Sequence, residues 1–198
     1  MLRAEPIQII QIVLMIIPLF VFHELAHAWV ALKLGDTTAR DEGRLTLNPI
    51  KHIDWLGLLL IVIVGFGWAK PVMINPENLQ NKKRDMALIA LAGPVINFIL
   101  AFLLVFVGVV IFDFSMIFLN MAFLSVMLGV FNMLPIPPLD GSKVLAGILP
   151  DGVYLSFRRF EKYAIILFLI LAISGMLGRV ILPMIQAIFG WMVSVFMF

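Results

Sequence analysis

Two histidines separated by three residues are the strongest chemical signal in the sequence. They belong to the run His23-Glu24-Leu25-Ala26-His27, an H-E-x-x-H pattern. On a helix, residues four apart share one face and lie about 6 Å apart along the axis, so two imidazoles can bind one metal ion. The glutamate beside the first histidine can take a proton from a water that the metal activates, which is general-base chemistry. The pattern predicts a hydrolytic site that carries one Zn²⁺.

The two histidines need a third protein ligand, because a catalytic zinc usually has three together with one open position. The sequence contains no cysteine and only one further histidine, so the third ligand is either His52 or a carboxylate. Asp140 is the best-placed carboxylate, since it follows a proline-rich stretch, residues 132–139, that cannot continue a helix. Irregular backbone near membrane depth indicates a cavity or a buried site. The alternative is that Asp140 only caps a short helix over Gly141–Ile148.

The elements that must position these side chains are predicted to lie in a membrane. The chain is 63% hydrophobic and 13% charged, whereas soluble domains are about 45–50% apolar and about 25% charged. This composition excludes a disordered chain and a nucleic-acid-binding protein, and the absence of cysteine excludes a disulfide scaffold. Glu24 lies inside the first long apolar run, where a carboxylate without a partner is costly and usually functional.

The apolar runs predict an α-helical polytopic membrane protein with about four to six membrane segments. Trp55–Phe66 is too short to cross, because its residues would rise only about 18 Å as a helix against about 30 Å of hydrocarbon. We interpret it as a re-entrant hairpin or a pair of short strands between the first and second full spans. Residues 1–198 are expected to form a single domain with its core over 7–149 and C-terminal helices over 163–198. The remaining apolar segments, the last broken by Pro183, are Ile7–Leu34, Met86–Phe112, Phe114–Leu134, Tyr163–Gly178 and Val180–Phe198.

The positive charges predict the orientation in the membrane. If Trp55–Phe66 does not cross, all but two of the 14 Lys and Arg residues fall on one side, and only Arg3 and Arg179 lie opposite. Under the positive-inside rule the crowded side is the cytoplasm, so the N-terminus is predicted outside. His27 lies about 10 Å from the cytoplasmic end of its helix. The active site is therefore expected to open toward the cytoplasm.

Several motifs in order resemble the site-2 protease family of intramembrane zinc metalloproteases, in particular its compact branch without a PDZ domain. The similarity runs from about Phe22 to Gly147. Besides the H-E-x-x-H helix, the motifs are Asn48-Pro49-x-x-His52-Ile53-Asp54, Gly65-Phe66-Gly67-Trp68-Ala69-Lys70-Pro71-Val72, Gly93-Pro94-Val95-Ile96-Asn97 and Asn132-x-x-Pro135-x-Pro137-Pro138-x-Asp140-Gly141. One departure is Trp55, where the compact branch usually has proline.

The resemblance implies His23, His27 and Asp140 as the zinc ligands and Glu24 as the base. It also implies an enzyme that cleaves a transmembrane protein or peptide substrate within or near the lipid bilayer. Such cleavage typically releases a signalling protein or clears a remnant peptide.

Three further residues match family positions or lie in family motifs. Asn97 and Asn132 would bind substrate backbone or stabilise the oxyanion. The alternatives are a hydrogen bond between helices for Asn97 and the closing of a helix end for Asn132. His52 either lines the site, as a partner of a ligand or as an electrophile, or lies in a solvated loop.

The segment Gly65–Val72 is a candidate edge strand for an unwound substrate, by backbone hydrogen bonding. Its predicted contact residues are Gly65, Phe66, Gly67 and Trp68. The alternative is a passive loop whose Trp68 and Lys70 anchor at the membrane interface.

Two rival functions explain part of the pattern. One is a metal-binding membrane protein without hydrolytic activity, such as a transporter or a pseudoprotease. A transport path needs polar residues across the full membrane thickness, and the outer halves of the central spans offer little besides Ser115 and Asn120. The other is a structural membrane protein whose motif is accidental, which predicts no bound zinc.

Overall fold

The computed structural model describes residues 6–64, 67–150 and 175–197. Within these residues the chain is helical and has no strand. It divides into two compact units, Met1–Gln80 and Asn81–Phe198. The described helices of the first unit, with two 3₁₀ turns at Pro49–Lys51 and Pro76–Asn78, are α1 (Pro6–Lys33), α2 (Thr38–Asp41) and α3 (Trp55–Val64).

Helix α1 carries the H-E-x-x-H pattern and ends in a glycine turn. Gly35 has a φ of +104°, a conformation that glycine adopts without steric cost. The N–H groups of Gly35 and Asp36 donate to the carbonyls of Leu32 and Ala31, at 3.2 and 2.9 Å. This is a Schellman motif, which satisfies carbonyls of the last helical turn and places Asp36 immediately after the helix.

Asp36 is a fully buried carboxylate that connects two loops of the first unit. Its Oδ1 accepts hydrogen bonds from the Thr38 N–H at 3.1 Å, the Thr38 hydroxyl at 2.6 Å and the Asn78 amide at 2.8 Å. Its Oδ2 accepts from the Asn75 N–H at 2.7 Å. Burial raises the pKa of this carboxyl, but the hydrogen bonds outweigh burial and hold the pKa below its ordinary 3.8. The charged carboxylate therefore ties residues 75–78 to the end of α1.

The short apolar segment between the polar loops is a helix. Residues Trp55–Val64 form α3, and the Asp54 carboxylate accepts from the Gly57 N–H at 2.8 Å at its start. The prediction of a pair of strands here is wrong: a uniformly apolar run has no period that separates a helix from strands, and the Asp54 bond to the first turn favours the helix. The Gly57 backbone closely contacts the backbone of Gly67 and Trp68, where a β-carbon would not fit. Helix α3 thereby fixes the start of the segment that follows it.

The second unit is built on two long helices joined by a short reversal. Its described helices are α4 (Lys82–Phe106), α5 (Met116–Asn132), α6 (Asp140–Ile148) and α7 (Met176–Ser194). At the start of α4 the Asn81 side chain accepts from the Arg84 N–H at 3.1 Å, and Asp85 accepts from the Asn81 N–H at 2.9 Å. This exchange resembles a capping box and satisfies N–H groups that the first turn leaves without helical partners.

Helices α4 and α5 run antiparallel, as the sequence predicts. A π-helical turn, Val107–Ile111, extends α4, and the chain reverses at Asp113 and Phe114, which both have positive φ. Gly108 lies against Phe118, and Gly129 lies against Phe98. The buried residues of this core are Ala101, Val105, Val109, Ala122, Val126, Val130, Ile181, Ile185 and Met192.

Helix α7 contributes the last three residues of that core and continues through Pro183. The prediction that Pro183 breaks this segment is wrong. A proline inside a helix removes one backbone hydrogen bond and strains the preceding turn. Packing of the apolar face against α5, including the Phe123–Phe189 ring contact, stabilises the helix on both sides of the proline.

Two described helices are long and apolar enough to cross a membrane, Ile10–Lys33 and Lys82–Ile111. Met116–Asn132 and Gly178–Ser194 are shorter apolar helices. Most of the predicted span Tyr163–Gly178 lies outside the described residues. The helical class is confirmed, whereas the number of crossings and the re-entrant course of α3 stay predictions.

Candidate metal centre

His23 and His27 lie one turn apart on α1, and their rings face each other. Their Nε2 atoms are 3.0 Å apart, and the rings meet edge to face with centroids 4.6 Å apart. Both side chains are buried, with exposed fractions of 5% and 6%. In a tetrahedral site with Zn–N distances of about 2.0–2.1 Å, two nitrogens lie about 3.3 Å apart. The spacing of the two imidazoles is thus close to what one zinc ion requires.

Glu24 is oriented by a backbone group from a distant part of the first unit. Its Oε2 accepts a hydrogen bond from the Val72 N–H at 2.9 Å. Val72 is buried and directly follows Pro71. No described group donates a hydrogen bond to Oε1, so this oxygen is available to take a proton. The sequence does not predict the contribution of Val72, since any residue type except proline offers this N–H.

Asp140 is the first residue of α6 and has an exposed fraction of 8%. The N-cap position is taken by Leu139, and no side-chain hydrogen bond caps this helix end. The interpretation of Asp140 as only a helix cap is therefore wrong. Lys143 Nζ lies 3.7 Å from Asp140 Oδ1, one helical turn further along. A β-carbon on Gly141 would collide with the backbone of Met133, so the proline-rich loop packs tightly against the start of α6.

His23 and His27 lie in the first unit, and Asp140 begins α6 in the second. Each of the three side chains is buried and offers one metal-ligand atom. Two imidazole nitrogens and one carboxylate oxygen are the donor set of a catalytic zinc site with one position left for water or substrate. The residues present therefore fit zinc.

His52 is buried rather than solvated, with an exposed fraction of 1%. The interpretation of His52 as a residue of a solvated loop is wrong. Its Nε2–H donates to the Thr46 carbonyl at 2.8 Å, which leaves Nδ1 as an acceptor, and no described group hydrogen-bonds to Nδ1. His52 and Trp68 both line a cavity of about 20 Å³ in the first unit. A cavity of this size can hold about one water molecule.

Asn97 and Asn132 lie in the second unit and differ in burial. Asn97 is fully buried on α4, and its carbonyl accepts from the Ser125 hydroxyl at 2.7 Å. That bond joins α4 to α5 through the backbone of Asn97. Asn132 is the last residue of α5, and its amide donates to the Leu128 carbonyl at 3.0 Å. The side chain thus reinforces the helix end, as the structural interpretation of this residue expects.

The candidate edge segment is only partly described. Gly65 and Phe66 lie outside the described residues, and residues 67–75 have no regular secondary structure. Trp68 is 42% exposed. The Lys70 N–H donates to the His52 carbonyl at 2.9 Å, so this segment is held by the loop before α3.

Comparison with known proteins identifies the family. The chain matches the model of peptidase family M50 over residues 11–118 and 110–175. These stretches cover most of the sequence and include all three candidate metal ligands. This chain belongs to peptidase family M50. The resemblance to site-2 proteases is thereby confirmed.

Relatives of this M50 peptidase are named as zinc metalloproteases. This chain is 41% identical over 189 residues to the "Putative zinc metalloprotease YwhC" of Bacillus subtilis, and the match covers 89% of this chain and 86% of the relative. It is 29% identical over 167 residues to the "Putative zinc metalloprotease Rip2" of Mycolicibacterium smegmatis, covering 79% of this chain and 64% of that protein. No solved structure matches the chain.

Family membership confirms the predicted activity and cofactor. This M50 peptidase is an intramembrane zinc metalloprotease, and it is an integral membrane protein. Neither rival function, a non-hydrolytic metal-binding protein or a structural scaffold, finds support in the family or in the named relatives.

Proposed function

We propose that this protease binds its zinc through His23, His27 and Asp140 and uses Glu24 as the general base. The observation that carries the proposal is the pair of buried imidazoles on α1, whose Nε2 atoms lie 3.0 Å apart and can therefore bind one ion. Asp140 is the buried carboxylate that the family resemblance supplies as the third ligand. The position of Glu24 next to His23 on α1 and its bond to the Val72 N–H give further support. One zinc per chain follows from this ligand set.

The zinc ligands, the base and the group that orients the base have separate roles in hydrolysis. Zinc, when bound, polarises the scissile carbonyl and lowers the pKa of water toward about 7. Glu24 Oε1 accepts a proton from the attacking water and later returns it to the leaving amine. The Val72 N–H restrains Oε2, so that Oε1 keeps its orientation during both transfers. His23 and His27 are buried, which keeps their ring nitrogens out of bulk water.

The substrate is a membrane-embedded protein or peptide that presents an unwound backbone near residues 67–73. Pro71 favours an extended backbone for itself and for Lys70. In an extended segment, alternate residues direct their backbone N–H and C=O groups to opposite edges. The N–H and carbonyl of Lys70 and the N–H of Val72 are occupied within the first unit, whereas no described group hydrogen-bonds to the backbone of Ala69 or Met73. This free edge supports substrate binding here, with Gly67 and Trp68 beside it.

Asn97, Asn132 and His52 are proposed to assist the reaction. Asn97 and Asn132 would bind substrate backbone or stabilise the oxyanion, as the family resemblance implies. His52 offers a buried Nδ1 acceptor, and its own carbonyl accepts from the Lys70 N–H. These roles rest on burial and on motif position.

The protease is proposed to act as a single multi-pass domain over residues 1–198. Its N-terminus lies outside, and its active site opens toward the cytoplasm. The uneven placement of Lys and Arg supports this orientation, because 12 of the 14 then share the cytoplasmic side. The polar loop residues 35–54 and 71–81 lie on that side in the same arrangement and provide a route for water.

Purified protein in liposomes tests the assignment of the base. Quenched fluorescent peptides, each with a single membrane span, serve as probes, and zinc is measured by elemental analysis. Glu24→Gln should lower the cleavage rate by about 10²–10⁴-fold and retain one zinc, since amides cannot act as bases. His23→Ala should lose both zinc and cleavage. Glu42→Gln, on an exposed residue of the first unit, is the matched control and should change neither. Cleavage by Glu24→Gln at the wild-type rate would refute Glu24 as the base.

A further inference from the structure

Arg44 is a buried arginine that no carboxylate of the described residues neutralises. Its exposed fraction is 4%. Among the described residues it forms no ion pair, and its Nε has no hydrogen-bond partner. Its Nη2 donates to the Lys70 carbonyl at 2.5 Å. Arginine is rarely buried without an acidic partner, because removing its charge from water is expensive. The main observed role of this guanidinium is therefore to hold one backbone carbonyl.

The backbone of Lys70 is held at both its carbonyl and its N–H. Arg44 binds its carbonyl at 2.5 Å, and the His52 carbonyl accepts from its N–H at 2.9 Å. The next residue, Pro71, has a fixed φ and restricts the conformation of Lys70 as well. These restraints on Lys70 and Pro71 fix the position of the Val72 N–H, which lies two residues after Lys70. That N–H is the group that donates to Glu24 Oε2 at 2.9 Å.

We propose that Arg44 is a positioning residue for the reaction: it fixes the Lys70–Val72 segment and, through the Val72 N–H, the carboxylate of Glu24. The inference rests on the proposed role of Glu24 as general base. A free glutamate side chain has three rotatable bonds, and only some of its rotamers place Oε1 where the attacking water lies. A misplacement of about 1 Å can lower a rate about 10²-fold. Arg44 acts at a distance, since nothing in the described residues brings it into contact with Glu24 itself.

The test compares Arg44→Ala with Arg40→Ala in proteoliposomes, using the quenched single-span peptides. Arg40 is the matched control, because it lies four residues earlier, at the exposed surface of α2, and among the described residues it pairs only with the neighbouring Asp41. Arg44→Ala should lower kcat by about 10–100-fold, with KM, zinc content and the thermal unfolding midpoint close to wild type. Arg44→Lys can still donate to the Lys70 carbonyl and should recover part of kcat. Arg40→Ala should change none of these quantities.

A second comparison separates positioning from general support of the fold. In a Glu24→Asp background the shorter carboxylate cannot accept from the Val72 N–H in the same place, so adding Arg44→Ala should lower kcat by a much smaller factor than in wild type. An equal factor in both backgrounds, loss of zinc with Arg44→Ala, or an unchanged kcat would each overturn the inference. Full activity of Glu24→Gln would instead refute the base assignment, so the two failures are distinguishable.

Discussion

The substitution Asp36→Asn tests how strongly the first unit depends on one buried carboxylate. If the asparagine oxygen replaces Oδ1, it can still accept from Thr38 and Asn78, but the amide NH₂ then faces the Asn75 N–H, which also donates. Losing the charge-assisted hydrogen bond from the Asn75 N–H costs about 1.5–3 kcal/mol. Placing the new NH₂ donor against that N–H donor, with neither satisfied, costs about 1–3 kcal/mol more. Since the terms overlap, we expect a total of about 3 kcal/mol.

Thermal unfolding in detergent micelles, followed by tryptophan fluorescence, measures this loss. The first unit contains Trp29, Trp55 and Trp68 as local reporters. For a chain of this size about 3 kcal/mol lowers the midpoint by about 6–12 °C. Asp41→Asn is the control, because Asp41 is an exposed carboxylate whose side-chain hydrogen-bond partners among the described residues are the nearby Thr37 and Arg40. Surface substitutions usually change the midpoint by only about one or two degrees. A change for Asp36→Asn no larger than this would refute the reasoning.

The same pair of proteins predicts a pH dependence. Because the folded-state pKa of Asp36 lies below the ordinary 3.8, the folded protein holds this proton less tightly than the unfolded chain. The stabilisation is therefore complete above that ordinary value and is lost as the pH falls through the folded pKa. The difference in midpoint between wild type and Asp36→Asn should be constant near neutral pH and should shrink below pH 3.8. A difference that shrinks at neutral pH instead would contradict the assignment.

Two glycine substitutions test the close backbone contacts around the site. Gly141→Ala should force the start of α6 away from the Met133 backbone, because the added β-carbon costs about 1–3 kcal/mol of overpacking. Zinc content and cleavage should both fall, and retention of full zinc would contradict this. Gly57→Ala should push α3 away from the Trp68 backbone and lower cleavage of single-span peptides while zinc stays bound, and an unchanged cleavage rate would remove the functional role of that contact. Gly190→Ala serves as the control for both, because a β-carbon there meets no atom within 4 Å.

The sequence predicts the parts of this site that depend on local periodicity. The H-E-x-x-H spacing places two imidazoles on one face of any helix, and the apolar run around it ensures that the helix forms. The long helices follow for the same reason, though their bounds differ by up to four residues: the predicted Met86–Phe112 corresponds to α4 with its π-helical turn, Lys82–Ile111, and the predicted Phe114–Leu134 to α5, Met116–Asn132. The short helix after Asp140 is also predicted, and it begins one residue earlier, at Asp140.

The contacts between distant segments could not be predicted in this way. In the sequence Arg44 contributes one positive charge to a loop, and nothing near it indicates that it binds a carbonyl 26 residues later. The anchoring of Glu24 by Val72 uses a backbone N–H, which leaves no trace in residue type. Residues 55–64 show a different limit, since a uniformly apolar run of this length is compatible with a helix and with strands. The close approach of Gly57 to Gly67 and Trp68 shows how this helix packs.

Zinc content across four variants tests the central claim most directly. Elemental analysis of the protein purified in detergent should find one zinc per chain in wild type and in Glu24→Gln, because glutamate is the base and not a ligand. His23→Ala, His27→Ala and Asp140→Ala should each lose most of the zinc, since each removes one of the three proposed protein ligands. A full equivalent of zinc in Asp140→Ala, bound as tightly as in wild type, would contradict the ligand set.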